Sequence, residues 1–170
     1  MKPLLIVDGY NVIGAWGEAE RSDWSLDDCR DQLLRRLQDY AGYSGEEIVL
    51  VYDGYQSDKK MTTVQQYGLV SQVFTRHGET ADSYIERLVA LTPRYRLVRV
   101  ATSDGLEQSQ VLSTGATRLT SRELLRELGQ IRSNGIQHHR QQTMWQKNPL
   151  GARLDDDTLA ILEKIRRSDK

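Results

Sequence analysis

Three short apolar runs, each leading into an aspartate followed by a glycine, constrain this fold more than any other feature of the sequence. The runs are residues 4–7, 48–52 and 96–101. The pairs are Asp8-Gly9, Asp53-Gly54 and Asp104-Gly105. Apolar runs of this length are typical of buried strands, and the amphipathic stretches between them indicate helices. The pattern therefore predicts an α/β fold built from β-α-β units around a mostly parallel sheet.

Capping residues place the helices of this fold. Ser25 and Thr80 each precede an amphipathic stripe, and Thr120 with Glu123 has the spacing of a capping box. Further strands are expected at residues 69–75 and 117–119. Polar loops are expected at residues 9–24 and 55–63, and further helices at about 106–113, 120–135 and 156–167. The intervening segment, Ile131 to Arg153, contains no acid and is expected to be irregular beyond the helix.

The acids after the strands are expected to meet at one place. In an open parallel sheet, the carboxyl ends of the strands lie at one edge and ligands bind in the crevice there. Asp8, Asp53 and Asp104 would then converge at that edge. Asp82, in the first turn of the helix capped by Thr80, would supply a fourth carboxylate. Glu86 lies on the same helical face one turn later and is expected to be solvated or to support the site.

Crowded carboxylates raise one another's pKa values unless a cation neutralises them. A hard divalent ion, Mg²⁺ or Mn²⁺, fits an all-oxygen site of this kind. Such an ion can activate water for attack on a phosphodiester and stabilise the charge that develops on phosphorus oxygens. Taken singly, each acid has a simpler interpretation. Asp-Gly is a common turn, and an acid in a first helical turn complements the helix dipole.

Composition limits the class of protein. Cys29 is the single cysteine among 170 residues, so an intramolecular disulfide or a Cys-rich zinc site is excluded and a cytoplasmic setting is expected. No apolar run approaches the ~20 residues of a membrane-spanning helix, so no membrane partner is expected. The motifs of P-loop and dinucleotide-binding proteins are absent, and Tyr10 stands where a haloacid-type phosphatase needs a second Asp.

Charge is distributed unevenly along the chain. The net charge of −1 excludes a strongly basic coat protein of nucleic acids, yet residues 126–170 carry 9 basic against 6 acidic side chains. Within it, the acid-free stretch Ile131 to Arg153 forms a basic arm that we predict contacts RNA. We also predict that the lysine pair after Asp53 guides RNA toward the carboxylates. The residues so predicted are Lys59, Lys60, Arg132, Arg140, Trp145 and Lys147. Alternatively, this stretch is an ordinary C-terminal extension that packs Trp145 and Met144 on the core, and the lysines are simply solvated. His138-His139 is a poor metal site, because adjacent side chains diverge on a helix or a strand.

The local motifs resemble those of a known family. The segments are VDGYN at 7–11, VYDG at 51–54, ETADSYIE at 79–86, ATSD at 101–104 and SRELLRE at 121–127. In this order and spacing, they resemble the NYN-domain group of PIN-like ribonucleases, in particular its bacterial YacP-like branch. The resemblance implies a three-layer α/β/α PIN-like fold. We expect the nuclease domain to cover residues 1–135 and a basic C-terminal extension, ending in a helix, to cover residues 136–170.

The resemblance also implies an activity and a site. It implies a divalent-metal-dependent endoribonuclease in which Asp8, Asp82 and Asp104 bind the metal, with Asn11 and Asp53 beside them as catalytic residues. The bacterial branch is associated with ribosomes and mRNA turnover, which implies cleavage of mRNA in a ribosome-linked setting. The alternative from another class is a binding module for RNA or the ribosome that keeps the fold without turnover.

Overall fold

The computed structural model describes residues 1–103 and 115–147, with side chains described in residues 1–103 and 115–135. The chain divides into two compact units, Met1–Arg132 and Ser133–Lys170. The first unit contains every described strand. The described part of the second unit is helical backbone as far as Lys147.

The described strands form one sheet. They are β1 (Leu4–Asp8), β2 (Glu47–Tyr52), β3 (Thr63–Tyr67), β4 (Val70–Phe74), β5 (Val98–Ala101) and β6 (Thr117–Leu119). Their order is β3-β4-β2-β1-β5-β6, and every neighbouring pair is parallel except the antiparallel pair of β3 and β4. The described helices are α1 (Gly9–Gly14), α2 (Gly17–Arg21), α3 (Leu26–Ser44), α4 (Ala81–Leu91) and α5 (Ser121–Lys147). The predicted α/β fold with a mostly parallel sheet is confirmed.

Helices cover both faces of this sheet. Leu5 and Val7 of β1 belong to an apolar core shared with α1, α2, α3 and α5. Leu4 and Ile6, whose side chains alternate with these, belong to a second core shared with α4. A strand buried on both faces reads as a continuous apolar run, which is why β1 carries no polar residue before Asp8. The result is a layer of helices on each face of the sheet.

The segment after β1 is helical, where the sequence predicted a polar loop. Asp8 caps α1 by accepting a hydrogen bond from the backbone nitrogen of Asn11 at 3.3 Å. Trp16 is 5% exposed and packs edge-to-face on Trp24, with ring centroids 5.4 Å apart. Helices of one or two turns are too short to show a 3.6-residue period, so the sequence pattern could not reveal them.

The strand predicted at residues 69–75 is β4, and it forms a hairpin with β3. Strand β3 was missed because an edge strand with mostly exposed polar side chains lacks an apolar signal. Gly68, with a φ of +61°, makes the turn between them.

The last described helix is longer than predicted. The capping box is confirmed: Thr120 Oγ1 accepts from the Glu123 nitrogen at 3.1 Å, and Glu123 Oε2 accepts from the Thr120 nitrogen at 2.8 Å. Helix α5 then continues past Gly135 to Lys147, so the expectation of an irregular acid-free segment is wrong there. No proline precedes Pro149 in this stretch, and a glycine weakens a helix by only about 1 kcal/mol.

Two other predicted helices, at about 106–113 and 156–167, lie outside the described residues. Among the helices that the structure does describe, none has both the length and the apolar character needed to cross a bilayer.

Candidate functional site

The site lies where the strand order changes direction. Strand β1 has β2 on one side and β5 on the other, because the chain first extends the sheet to one edge through β2 and β4 and then crosses to the other side of β1 to add β5 and β6. Asp8 pairs with Val51 and Val7 pairs with Ala101, so the three strands end at the same level. A crevice opens at the carboxyl ends of strands at such a switch point. The topology therefore brings Asp8 beside the segments that begin at Asp53 and Ser103.

Asp8 is the last residue of β1 and is only 9% exposed. Side chains alternate between the two faces of a strand, so Asp8 lies on the same face of the sheet as Leu4 and Ile6. This is the face that α4 covers. Gly9, which the sequence analysis treated as a turn residue, is instead the first residue of α1. A Cβ at this position would lie 2.3 Å from the ring of Tyr52, so the residue must be glycine because an aromatic ring occupies the space.

Asn11 joins three elements at this edge. Its side-chain oxygen accepts from the backbone nitrogen of Ser103 at 3.0 Å and from the hydroxyl of Ser121 at 2.6 Å. It thereby fixes the residues after β5 and the first turn of α5 to the end of β1. Because the side-chain oxygen of Asn11 accepts these two bonds, its NH₂ group is the part that can donate to a carboxylate or phosphate oxygen. Ser121, fully buried, was missed by the sequence analysis; a polar residue directly after the capping residue Thr120 was the available signal.

Asp53 joins the segment after β2 to the beginning of α4. One carboxylate oxygen accepts from the backbone nitrogen of Tyr55 at 2.8 Å, and the other lies 3.4 Å from the backbone nitrogen of Ala81. Asp82 follows Ala81 directly and is half-buried in the first turn of α4. The structure thus brings Asp53 next to the turn that carries Asp82. Glu86, one turn further along α4, is exposed.

A buried hydroxyl reinforces this junction. Thr75 is 1% exposed, accepts from the Gly54 nitrogen at 2.7 Å and donates to the Glu79 backbone oxygen at 2.7 Å. A Cβ on Gly54 would lie 1.9 Å from the Thr75 carbonyl oxygen, so only glycine allows this close approach. Sequence reasoning missed Thr75, because its hydrogen bond with Gly54 connects residues 21 positions apart.

Glu79 is the third residue of this region, after Ser121 and Thr75, that sequence patterns did not identify. Its side chain is 8% exposed, and its Oε1 lies 2.6 Å from Arg87 Nη1 while Oε2 lies 3.8 Å from Arg76 Nε. The hydroxyl of Thr62 also donates to Oε2 at 3.2 Å. A buried carboxylate is stable when cations and donors surround it in this way. Glu79 therefore secures the loop that precedes α4 and Asp82.

The described acids can supply part of a metal site. Asp104, the third predicted ligand, lies outside the described residues. Within residues 1–103 and 115–135, no three His, Cys, Asp or Glu side chains are close enough together to hold a metal ion. Asp8 and Asp82 remain as carboxylates whose oxygen donors suit Mg²⁺ or Mn²⁺. The metal assignment as a whole stays a prediction.

The predicted RNA-binding residues fall into two groups. Lys59 and Lys60 are exposed in the segment after β2, and Lys60 lines a cleft of about 450 Å³ with residues 76–79 and Ser83. Arg132 is exposed on α5, with its Nη1 3.6 Å from Glu18 Oε1. The side chains of Arg140, Trp145 and Lys147 lie outside the described residues, although their backbone belongs to α5.

Comparison with known proteins gives concordant matches. A profile of the YacP-like NYN domain matches residues 5–167. Uncharacterized protein YacP of Bacillus subtilis (strain 168) is 36% identical over 169 residues, which is 98% of both chains. A crystal structure of a mutant of Rae1 (YacP) from Bacillus subtilis has a TM-score of 0.70 and 34% identity, over 84% of each chain. A crystal structure of Rae1 (YacP) has a TM-score of 0.65 and 34% identity, over 99% of this chain and 97% of that one.

Proposed function

Because this chain belongs to the YacP-like NYN domain family, we propose that it is a divalent-metal-dependent endoribonuclease that hydrolyses RNA phosphodiester bonds. Family membership and the similarity to YacP support a nuclease-like role related to RNA. One observation carries the finer proposal: buried Asp8 lies at the switch point of the sheet, between the segments that lead to Asp53 and to Asp104. A buried acid at this edge is suited to chemistry more than to solubility.

In this proposal Asp8, Asp82 and Asp104 hold Mg²⁺ or Mn²⁺. The bound ion would neutralise the carboxylates, lower the pKa of a coordinated water and stabilise negative charge on the phosphate. The donor set consists of carboxylate oxygens, which is the chemistry that these cations select. Two of the three acids, Asp8 and Asp82, belong to elements that Asn11, Asp53 and Thr75 hold by hydrogen bonds within the protein.

Other residues would bind and orient the RNA. The NH₂ group of Asn11 can donate to a phosphate oxygen near Asp8, since its carbonyl oxygen already accepts from Ser103 and Ser121. Asp53 holds the first turn of α4 and so positions Asp82. We propose that the basic residues attract the phosphate backbone toward these acids. They are Lys59, Lys60, Arg132, Arg140 and Lys147, with Trp145 as a stacking surface for an unpaired base.

We further propose mRNA as the substrate and the ribosome as the setting, in the cytoplasm. The sequence resemblance to the bacterial YacP-like branch supports this setting. The net charge of −1 also supports it, because a protein without a strongly basic surface gains from a partner that presents RNA to it.

The experiment is an RNA cleavage assay with the full chain in Mn²⁺ and in Mg²⁺. Asp8→Asn and Asp82→Asn should each lower the cleavage rate by about 100-fold or more, the usual effect of losing one group that stabilises transition-state charge. Asp39→Asn is the matched control, because this acid is exposed near the end of α3, which leads to the first residue of β2, whereas the site lies at the carboxyl ends of the strands. Chelation of the metal should abolish cleavage by the wild type and by the control.

Two outcomes would contradict the proposal. If the Asp8→Asn, Asp82→Asn double variant cleaves at the wild-type rate, the metal assignment is wrong. If the wild type binds RNA or ribosomes but cleaves nothing with any divalent metal, the protein is a binding module. The assay is run with and without translating ribosomes. If cleavage depends on ribosomes, it will occur only in the reaction that contains them.

A further inference from the structure

The surface beside Asp53 contains two neighbouring clefts. One, of about 390 Å³, is lined by Asp53, Tyr55, Gln56 and Thr80. The other, of about 450 Å³, is lined by Lys60, Ser83 and residues 76–79. The rings of Tyr55 and His77, one from each cleft, are stacked with centroids 6.4 Å apart and planes 27° apart. The clefts therefore adjoin at an aromatic pair that lies two residues from Asp53.

Hydrogen bonds hold the backbone of both residues of the aromatic pair, although their side chains are exposed. Tyr55 is 50% exposed, and its backbone is fixed at both ends: its nitrogen donates to Asp53, and its oxygen accepts from the Gly78 nitrogen at 3.1 Å. The backbone nitrogen of His77 donates to the Lys59 oxygen at 2.7 Å, and its ring Nδ1 lies 2.9 Å from the Ser57 oxygen. An exposed ring that is already ordered loses little entropy when a ligand packs on it.

The larger cleft supplies positive charge on the His77 side of this pair. Lys60 and Arg76 both line the larger cleft. The one acid that lines it, Glu79, is turned inward with its side chain 8% exposed, and its closest cation is Arg87 at 2.6 Å. Arg76 lies 3.8 Å from Glu79 and its side chain is 57% exposed, so much of its charge faces the cleft. An exposed aromatic ring beside two cations is the combination that binds single-stranded nucleic acid.

We propose that Tyr55, His77, Lys60 and Arg76 form a subsite for one nucleotide of single-stranded RNA, next to the catalytic acids. The base stacks on the exposed side of Tyr55, and the adjoining phosphate is bound by Lys60 and Arg76. The backbone then continues past Asp53 toward Asp8 and Asp82. Because every base has a π face, this subsite selects unpaired RNA without selecting a sequence. The inference rests on the proposed function and deepens it, by assigning where the substrate is held.

Two other exposed tyrosines provide a comparison. Tyr43 is 76% exposed and Tyr95 is 78% exposed, and neither has a ring contact among the residues that the structure describes. Tyr95 and the exposed Arg94 precede β5, at the opposite edge of the sheet from the site. Arg94→Ala and Tyr95→Ala are therefore matched controls for a cation and a ring in the subsite.

The test measures binding of a fluorescent single-stranded oligoadenylate to the full chain by anisotropy, in chelator and over a range of salt concentrations. Tyr55→Ala should weaken binding about 5- to 150-fold, since that is the range for loss of one stacked base. In this variant the slope of log affinity against log salt concentration should equal that of the wild type, because the substitution removes no positive charge. Tyr55→Phe, which keeps the ring, should bind as the wild type does. Lys60→Ala and Arg76→Ala should each make that slope shallower, by about 0.7 for each phosphate that the variant no longer neutralises.

The outcomes separate the subsite from the proposed function. If the wild type binds and cleaves RNA but the Tyr55→Ala and Lys60→Ala variants bind as tightly as the two control variants, the subsite is wrong and the nuclease remains. If a duplex RNA of the same length competes as well as the single strand, stacking on Tyr55 is also excluded. If the wild type neither binds nor cleaves RNA, with or without ribosomes, the proposed function fails and the subsite fails with it.

Discussion

The backbone nitrogen of Gly54 donates a 2.7 Å hydrogen bond to the buried hydroxyl of Thr75. The same hydroxyl donates to the backbone oxygen of Glu79 at 2.7 Å, so one side chain connects the segment after β2 with the segment before α4. The first segment carries Asp53, and the second leads into α4, whose first turn carries Asp82. A single buried hydroxyl therefore fixes two of the candidate site acids relative to each other.

We predict that Thr75→Val lowers both stability and cleavage. The substitution keeps the shape of the side chain but leaves the Gly54 nitrogen and the Glu79 oxygen without this partner. Each buried group left unpaired costs about 1–3 kcal/mol. Because Asp82 would be less well positioned, kcat should fall more than KM changes. Thermal unfolding and steady-state cleavage kinetics are the measurements.

Thr75→Ser is the conservative variant for this prediction, and it should restore most of the kcat because it keeps the hydroxyl. Val89→Ala, further along α4, provides a loss of stability without removing that group. If Thr75→Val and Val89→Ala lower kcat equally at equal stability, then Thr75 has no positioning role.

A second prediction concerns three glycines. Gly54→Ala should be the most destabilising, since its Cβ would meet the Thr75 backbone oxygen at 1.9 Å and backbone cannot easily move away. Gly9→Ala should be milder, because the Tyr52 ring that it meets at 2.3 Å belongs to a side chain. Gly42→Ala should stabilise by about 0.5–1 kcal/mol, since it lies inside α3 with no atom within 4 Å of the new Cβ. Urea unfolding should give this order, and a different order would contradict the steric argument.

A third prediction concerns stability at high pH. Burial, and then a hydrogen bond to Glu127, raise the pKa of Tyr40 to about 12, although Arg99 opposes this shift. The folded pKa lies above the unfolded value of about 10, so folding favours the neutral phenol. The raised pKa of Tyr40 therefore contributes to the free energy of unfolding in full below pH ~10, and this contribution is lost as the pH rises toward 12. Urea unfolding between these pH values measures the loss.

Tyr40→Phe tests this assignment directly. The variant should be less stable than the wild type near neutral pH, because Glu127 and Arg99 each lose a hydrogen bond. Its stability should then fall less steeply in the alkaline range, leaving the contribution of Tyr52, whose pKa burial also raises. Equal slopes for the two proteins would show that Tyr40 does not titrate as described.

A fourth prediction concerns the thiol of Cys29. The residue is 5% exposed, and burial, followed by the charge of Asp28, raises the pKa of the thiol. We expect a thiol-specific disulfide reagent to modify the folded protein only as fast as the core opens, and to modify it at once in denaturant. Modification of the native protein at the rate of a free thiol would contradict the observed packing of α3.

Sequence patterns predicted the elements that have a strong local signal. Strands β1 and β2 are apolar on both faces, and α3 and α4 are preceded by Ser25 and Thr80, whose side chains accept the expected capping bonds. Elements without such a signal were missed: α1 and α2 are too short, and β3 is a polar edge strand. Of the site, the sequence predicted the acids and Asn11 by position, but Ser121, Thr75 and Glu79 were not identified from it. These residues matter because they are buried and because their partners are distant in the sequence. Neither property can be read from neighbouring residues.

By itself the sequence determined the strands and helices that have a strong local signal, the acids that follow the strands, and the family motifs that carry the nuclease interpretation. These are local properties, since apolar periodicity, caps and Asp-Gly pairs can be read from neighbouring residues. Only the tertiary structure decided that Gly9 and Gly54 make room for Tyr52 and for the Thr75 backbone, and that Tyr55 meets His77 beside two cations. Such arrangements depend on which distant segments pack together, and that is decided by the burial of both sheet faces and by hydrogen bonds across the fold.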